Sequence, residues 1–175
     1  AYRIAVRLQP DHAASHYNLG NALARSGDAA EAAAAFRQAI ALAPDLAQAH
    51  NNLGNALRAQ GRSADAIEWF EWAIEIQPDY AMALTNLGTA QNECGDRDGA
   101  IETYQRAIAA QPDLAEAHSN LGNVLKDQGR MTEAVSTFRR ALDLNPDFAA
   151  VHSNLLFALN YVIDIDDESI VAEHR

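Results

Sequence analysis

Residues 44–79 read PDLAQAHNNLGNALRAQGRSADAIEWFEWAIEIQPD, a stretch that begins and ends on the same Pro-Asp pair. The chain has five prolines, spaced 34 residues apart and each followed by aspartate: Pro10, Pro44, Pro78, Pro112 and Pro146. Two further features recur at this interval, a Leu-Gly pair and an alanine placed four residues before an aromatic residue. A constant period of this length predicts a solenoid of stacked helix pairs.

Each recurring residue has a physical task in such a helix pair. Pro44 cannot continue a helix, and Asp45 is predicted to cap the next one, with Gln48 at capping-box spacing. Gly61 supplies the left-handed turn that ends the first helix. Gly54 and Ala66 are small, so the two helices of the pair are expected to approach closely there.

The pattern Leu-Gly, then Ala-x-x-x-Phe, then Pro resembles the tetratricopeptide repeat (TPR). This resemblance implies an all-α solenoid, a right-handed superhelix of antiparallel helix pairs. Full repeats are predicted at 13–46, 47–80, 81–114 and 115–148, and residues 1–12 carry the tail of a truncated preceding repeat. Residues 149–175 are predicted to form a terminal helix and a junction toward an absent catalytic domain, with an acidic turn from residue 164 and a different helix beginning at Glu168.

Asparagine recurs at two positions of the first helix, which in TPR arrays lines the concave face. The first position reads Asn18, Asn52, Asn86, Asn120 and Asn154, and the second reads Asn21, Asn55, Thr89, Asn123 and Phe157. An amide both donates and accepts, which matches the two halves of a peptide unit, so this row is predicted to bind the main chain of an extended peptide. The alternative is that asparagine only solvates the groove and was copied when the repeats were duplicated, and the spacing alone does not decide between the two.

The chain also resembles the repeat region of O-GlcNAc transferases (glycosyltransferase family 41), bacterial relatives included. The residues that carry this likeness are the blocks HNNLGN at 50–55 and HSNLGN at 118–123, followed by HSNLLFALNY at 152–161 and AEHR at 172–175. The last two are similar to the junction where the repeats of such enzymes run into the catalytic domain. The resemblance implies that the asparagine row contacts the backbone of protein substrates for a transferase acting on Ser or Thr.

Composition and spacing argue against other functions. The chain has 175 residues and a formal net charge of −11, which disfavours a nucleic-acid groove. Cys94 is the single cysteine, so no internal disulfide or cysteine-based zinc site is expected. Four histidines share one repeat position, too far apart to share a metal, and are predicted to pack or form hydrogen bonds: His16, His50, His118 and His152. The chain is therefore predicted to be cytoplasmic, to span no membrane, to need no cofactor or metal, and not to be an enzyme itself.

Exposed apolar residues predict a capacity for self-association. Trp72 stands where other repeats have polar residues, and Leu156 and Phe157 belong to an apolar C-terminal surface that extends to Ile163. A contact patch and a tolerated surface aromatic are both open interpretations of Trp72. The array ends are predicted to associate, either about a two-fold axis or head to tail.

Two functions compete on the sequence alone. The first is a scaffold that presents extended protein segments to a linked O-GlcNAc transferase-type domain. The second is a general TPR adaptor that binds a partner without any linked enzyme. A carboxylate-clamp adaptor would need clustered Lys and Arg, and the predicted groove is instead close to neutral.

Overall fold

The structure is a computed structural model, and it describes residues 2–162. The predicted acidic turn and the helix from Glu168 lie outside the described residues. Within that range the chain forms α-helices alone, in this order: α1 (Tyr2–Leu8), α2 (Ala13–Arg25), α3 (Ala29–Leu42), α4 (Ala47–Arg58), α5 (Ser63–Ile76), α6 (Ala81–Glu93), α7 (Arg97–Ala110), α8 (Ala115–Asp127), α9 (Met131–Leu144) and α10 (Ala149–Leu159). None of these helices is long and apolar enough to cross a membrane.

The helices stack in sequence order as pairs. Helices α2 and α3 pack together, as do α4 and α5, α6 and α7, and α8 and α9, and the second helix of each pair then contacts the first helix of the next. The first helices α2, α4, α6, α8 and α10 also contact their neighbours in turn, whereas no two second helices between α3 and α9 do so. The first helices therefore lie on the inner side of the curve and line its concave face. This is the all-α solenoid that the repeat pattern predicted.

Close packing inside each pair explains the recurring Leu-Gly. A Cβ atom added at Gly54 would lie 2.5 Å from Cε1 of Phe70, and one added at Gly122 would lie 2.5 Å from Cε1 of Phe138. The facing alanine, Ala66 in the second pair, is fully buried. The aromatic ring thus occupies the space that a side chain at the glycine would need, which confirms the predicted close approach.

The turns between paired helices depend on a backbone conformation that favours glycine. Gly61 lies three residues after Arg58, the last residue of α4, and has a φ of +74°. Gly27, Gly95 and Gly129 adopt the same left-handed conformation. This confirms the predicted left-handed turn.

The predicted capping role of Asp45 is wrong. Helix α4 begins at Ala47, its N-cap residue is Leu46, and no side chain caps it. Asp45 lies one residue too early and belongs to the turn closed by the hydrogen bond from Leu46 N to Ala43 O, at 3.2 Å. Asp96 does cap α7, through a 3.0 Å bond from Gly99 N to Asp96 Oδ1.

Buried apolar side chains form two clusters along the array. The first runs from Leu23 to Ala90 in α6 and also includes Ala107 and Ala117. The second begins at Ala100 and runs to Leu159, with Tyr104 and Phe138 among its largest members. The two clusters meet within the α6–α7 pair, which makes that pair the point where the two halves of the array are joined.

Candidate functional site

The asparagine row lies where consecutive first helices face one another. Asn52, Asn86, Asn120 and Asn154 are half-buried at equivalent positions of α4, α6, α8 and α10, and Asn18 is exposed on α2. The second row, Asn21, Asn55, Thr89 and Asn123, is half-buried one helical turn further on. Both rows are therefore placed on the concave side of the solenoid.

Many of these amides bind one another across the repeat boundary. Asn52 Nδ2 donates to Asn21 Oδ1 at 2.9 Å, and Asn154 Nδ2 donates to Asn123 Oδ1 at 2.9 Å. Asn120 Nδ2 makes the corresponding contact with Thr89 Oγ1, at the longer distance of 3.5 Å. An asparagine of the first row thus reaches back to the second row of the preceding repeat, so part of the row joins adjacent repeats.

The link between the second and third repeats is built differently. Asn86 Nδ2 donates to Asn51 Oδ1 at 2.9 Å, and Asn51 Nδ2 donates to Asn52 Oδ1 at 3.1 Å. Asn51 is 3% exposed, so these two bonds satisfy an amide that water does not reach. Asn51 belongs to neither of the two asparagine rows that the sequence predicted. The available signal was its repeat position, which holds Tyr17, Asn51, Thr85, Ser119 and Ser153 and so always carries a hydroxyl or an amide.

The third repeat replaces an amide pair with hydroxyl groups. Tyr104 stands where the other repeats have phenylalanine, and its buried hydroxyl lies 3.0 Å from Thr89 Oγ1. Thr89 Oγ1 in turn donates to the carbonyl oxygen of Thr85 at 2.9 Å, which leaves Tyr104 as the donor to Thr89. Burial raises the pKa of the Tyr104 hydroxyl, so this group remains protonated and able to donate.

Other amides of the row keep hydrogen-bonding atoms available. The side chains of Asn18 and Asn55 make no hydrogen bond to any residue in the described range, and the Oδ1 atoms of Asn86 and Asn120 accept none. By contrast, Asn52 uses its Nδ2 on Asn21 and Tyr17 and its Oδ1 on Asn51. The concave face therefore carries amide atoms that join adjacent repeats and amide atoms that stay open to a ligand, and on Asn86 and Asn120 the two kinds occur in one side chain.

The charges on this face are largely paired. Arg58 binds Glu93 through two bonds, Nε to Oε2 at 3.1 Å and Nη2 to Oε1 at 2.6 Å, and Ser63 Oγ donates to Glu93 Oε2 at 2.6 Å. The hydrogen bond from Arg58 lowers the pKa of the Glu93 carboxyl. Lys126 Nζ lies 3.8 Å from Asp127 Oδ1 and 3.4 Å from Asn154 Oδ1. These contacts leave Arg25 as the cation of this face that has no carboxylate partner among residues 2–162.

The recurring histidines hold the turn that precedes each first helix. Nε2 of His50 donates to the carbonyl oxygen of Pro44 at 2.8 Å, and His118 binds the carbonyl of Pro112 at 3.0 Å. His16 and His152 repeat this contact with Pro10 and Pro146. In each case the histidine supplies a hydrogen-bond donor to the carbonyl oxygen of a proline, a residue that has no N–H of its own. The predicted hydrogen-bonding role is confirmed, and no group of metal-binding side chains occurs in residues 2–162.

The residues predicted for self-association are exposed to different degrees. Trp72 is 45% exposed and lies beside the ring of His50, at 6.5 Å between centroids. Phe157 is 46% exposed, packs on Tyr161 at 4.9 Å and has Lys126 Nζ 5.7 Å from its ring centre, and Leu156 is half-buried. Trp72 is thus separated along the array from Leu156 and Phe157, and self-association through these residues remains a prediction.

Comparison with family models gives matches to the tetratricopeptide repeat. Two models described as "Tetratricopeptide repeat" match residues 11–79 and 115–148, and a model described as "TPR repeat" matches residues 90–129. Together these matches cover the pairs α2–α3, α4–α5 and α8–α9 in full, and α7 with the last turn of α6 from the remaining pair. No curated protein sequence matches the chain.

Solved structures with the same fold cover nearly the whole chain. A crystal structure of MamA is 27% identical, with 86% of this chain and 88% of that chain covered and a TM-score of 0.77. A crystal structure of YrrB, described as a TPR protein with an unusual peptide-binding site, is 22% identical, with coverage of 99% and 90% and a TM-score of 0.77. A thermophilic TPR protein from Thermus thermophilus, TTC0263, is 22% identical, with coverage of 91% and 87% and a TM-score of 0.75. At the two lower identities the likeness concerns the fold alone.

Proposed function

The chain belongs to the tetratricopeptide-repeat family, and from that premise we propose that it holds extended protein segments along the asparagine row of its concave face. The observation that supports this most directly is the set of unoccupied amide atoms on Asn18, Asn55, Asn86 and Asn120. They recur along the stacked first helices, so a segment lying along the groove meets them in succession.

The chemistry of these groups suits a peptide main chain. The amide of Asn55 offers both a donor and an acceptor, and the free Oδ1 atoms of Asn86 and Asn120 accept from backbone N–H groups. Contacts to the main chain recognise extended conformation rather than side-chain identity. The scaffold is therefore expected to accept segments of varied sequence.

We further propose that the bound segment is a substrate of a linked O-GlcNAc transferase-type domain. The support is the resemblance at residues 50–55, 118–123 and 152–161. Such a domain would modify Ser or Thr in the segment, while this chain supplies binding and no reacting group. The junction residues 172–175 that strengthen the resemblance lie outside the described part of the structure.

The test of main-chain binding uses a labelled peptide, fluorescein-Gly-Thr-Ser-Thr-Leu-Asp-Thr-Ser-Thr-amide, and a twin N-methylated at alternate peptide bonds. The triple variant Asn18→Ala, Asn55→Ala, Asn120→Ala removes open amides while breaking only the long 3.5 Å contact to Thr89. At about 0.5–1.5 kcal/mol for each lost bond, affinity is expected to fall about tenfold or more, and the N-methylated twin should lose affinity similarly.

The matched control is Gln38→Ala with Gln105→Ala, two exposed amides on the second helices α3 and α7. These substitutions should leave the affinity unchanged. Undiminished binding by the triple variant, or equal binding of the peptide and its N-methylated twin, would contradict main-chain recognition.

A second candidate function is a TPR adaptor with no linked enzyme. The observation that favours it is the coverage of 88–90% of the MamA and YrrB chains by an array of this length. The two candidates can be distinguished by sequencing: the first requires that the reading frame continue into an α/β glycosyltransferase, and the second does not. They can also be distinguished by assay, since the first requires that peptides bound in the groove become modified at Ser or Thr when that longer protein is supplied with a nucleotide sugar.

A further inference from the structure

A cleft with alanine walls opens on the concave face between the first two repeats. It has a volume of about 530 Å³. Four alanines line it, Ala24, Ala29, Ala56 and Ala59, and Phe36, Asn55 and Arg25 line it as well. This volume falls in the range of about 300–1,000 Å³ that is typical of ligand sites.

The same place one repeat later is filled by polar side chains. Counting 34 residues forward, Ala24, Ala29 and Ala59 correspond to Arg58, Ser63 and Glu93. Those three residues form the hydrogen-bonded cluster in which Arg58 Nη2 lies 2.6 Å from Glu93 Oε1 and Ser63 Oγ lies 2.6 Å from Glu93 Oε2. The cleft therefore exists because all three members of that cluster are alanine at the first repeat boundary.

The next boundary along the chain is also polar. The residues equivalent to the three alanines are there Asn92, Arg97 and Asp127. The depression at that place is lined by Asp96, Asp98 and Gln128 together with Arg97 and Asp127. Among these three boundaries, the first is thus the one where alanines replace the polar cluster and leave a cleft open to the groove.

Two polar residues that line the cleft, Arg25 and Asn55, indicate which groups of a ligand should lie next to an apolar side chain bound there. Arg25 has no carboxylate partner among the described residues, whereas Arg58 and Lys126 each lie beside one. Because the chain carries a net charge of −11, an incoming carboxylate is repelled unless it meets such an unpaired guanidinium. Asn55, whose amide makes no hydrogen bond in the described structure, is positioned to bind the adjoining main chain.

We propose that this cleft is a specificity pocket that takes one Leu-sized apolar side chain of a bound protein segment, with the adjacent carboxylate paired to Arg25. The inference rests on the proposed function, since it assumes a segment lying along the asparagine row. It adds a preference at one position to a scaffold that otherwise recognises the main chain. The carboxylate belongs either to an Asp or Glu side chain or to the C-terminus of the segment.

The first experiment compares probes on the unaltered chain. The probe is the peptide with the central Leu-Asp, and its twins carry Ser-Asp or Leu-Asn at that place. Replacing Leu by Ser should weaken binding about tenfold or more, since it removes the burial of a leucine side chain. Replacing Asp by Asn should weaken binding about two- to fivefold, the range of an exposed ion pair. A further pair that ends at Leu, with a free carboxylate or an amide, separates the two sources of the carboxylate.

The second experiment transplants the polar cluster of the next repeat. The variant Ala24→Arg, Ala29→Ser, Ala59→Glu fills the cleft with a cluster that the same fold already accommodates at Arg58, Ser63 and Glu93. It should lower the affinity for the Leu-Asp probe to that of the Ser-Asp probe and leave the Ser-Asp probe unaffected. The matched variant Arg25→Gln should abolish the difference between the Leu-Asp and Leu-Asn probes alone.

The outcomes separate the pocket from the scaffold function. Equal affinity for the Leu and Ser probes, with binding still lost on Asn55→Ala, would overturn the pocket and retain the asparagine row. Failure of every probe to bind the unaltered chain at millimolar concentration would overturn both. If the transplanted variant loses its helical circular dichroism, Ala59→Glu alone is used, and unchanged discrimination between Leu and Ser in a folded variant overturns the proposal.

Discussion

Replacing Asn51 by alanine should destabilise the array although alanine is the better helix former. Asn51 lies within α4, is 3% exposed, and accepts from Asn86 at 2.9 Å while it donates to Asn52 at 3.1 Å. Two buried hydrogen bonds contribute about 1–3 kcal/mol together. The gain in helix propensity returns up to about 0.7 kcal/mol, so the free energy of unfolding should fall by about 0.3–3 kcal/mol.

Asn55→Ala is the matched control for this substitution. Asn55 is the same residue type in the same helix, one turn further on, and its side chain makes no hydrogen bond within residues 2–162. The propensity gain is shared by both variants, so the difference between them isolates the two bonds of Asn51. Asn55→Ala should change stability by no more than about 0.7 kcal/mol, toward greater stability.

Urea unfolding followed by circular dichroism at 222 nm measures both variants. Solenoid arrays can depart from two-state behaviour, so hydrogen exchange of the amides in α4 and α6 should be recorded alongside. The double variant Asn51→Ala, Asn86→Ala completes a cycle, and a coupling of about 0.5–1.5 kcal/mol is expected between the two residues. The reasoning is refuted if Asn51→Ala proves as stable as Asn55→Ala.

Three other expectations follow from the packing, the charges and the ends of the array. Gly88→Leu should push apart α6 and α7, because even a Cβ atom at this position would lie 2.9 Å from Tyr104 Cε1. Hydrogen exchange should then show the two halves of the array opening independently, and uniform opening of the whole array would contradict this expectation. The pKa of the Glu93 carboxyl is lowered from its ordinary value of 4.5. The ionised carboxylate therefore contributes about 0.2–1 kcal/mol to the free energy of unfolding, the range for a side chain that is 40% exposed. This contribution is present above pH 4.5 and is lost as the pH falls through the lowered pKa. The stability difference between wild type and Glu93→Gln should accordingly narrow below pH 4.5, and a difference that widens there would refute it. Sedimentation over a wide concentration range should reveal association that the double variant Leu156→Asp, Phe157→Asp abolishes, and a wild-type chain that stays monomeric at millimolar concentration would dispose of this idea.

The helix pairing of this protein could be predicted because each requirement is local. Gly61 has the positive φ that its place in the period predicted, and Gly54 is small because Phe70 fills the space beside it. Both constraints act between residues close in the chain and recur at every repeat, so a one-dimensional pattern carries them. The start of α4 was missed by one residue, since the turn bond from Leu46 to Ala43 competes with capping by Asp45.

The partners of the asparagines depended instead on how successive repeats stack. Spacing placed Asn52 and Asn55 on one face, but it did not tell that Asn52 would bind Asn21 while Asn55 would make no bond. The alanine cleft beside Arg25 likewise appears only when residues 30 to 35 positions apart in the chain are brought together, as Arg58, Ser63 and Glu93 are one repeat later. The sequence alone determined the repeated helix pair and the face that carries the amides. The tertiary structure decided which amides and which boundary remain open. Whether a hydrogen bond forms between repeats depends on differences of a few tenths of an ångström in the distance between two atoms, and a periodic sequence pattern does not contain such differences.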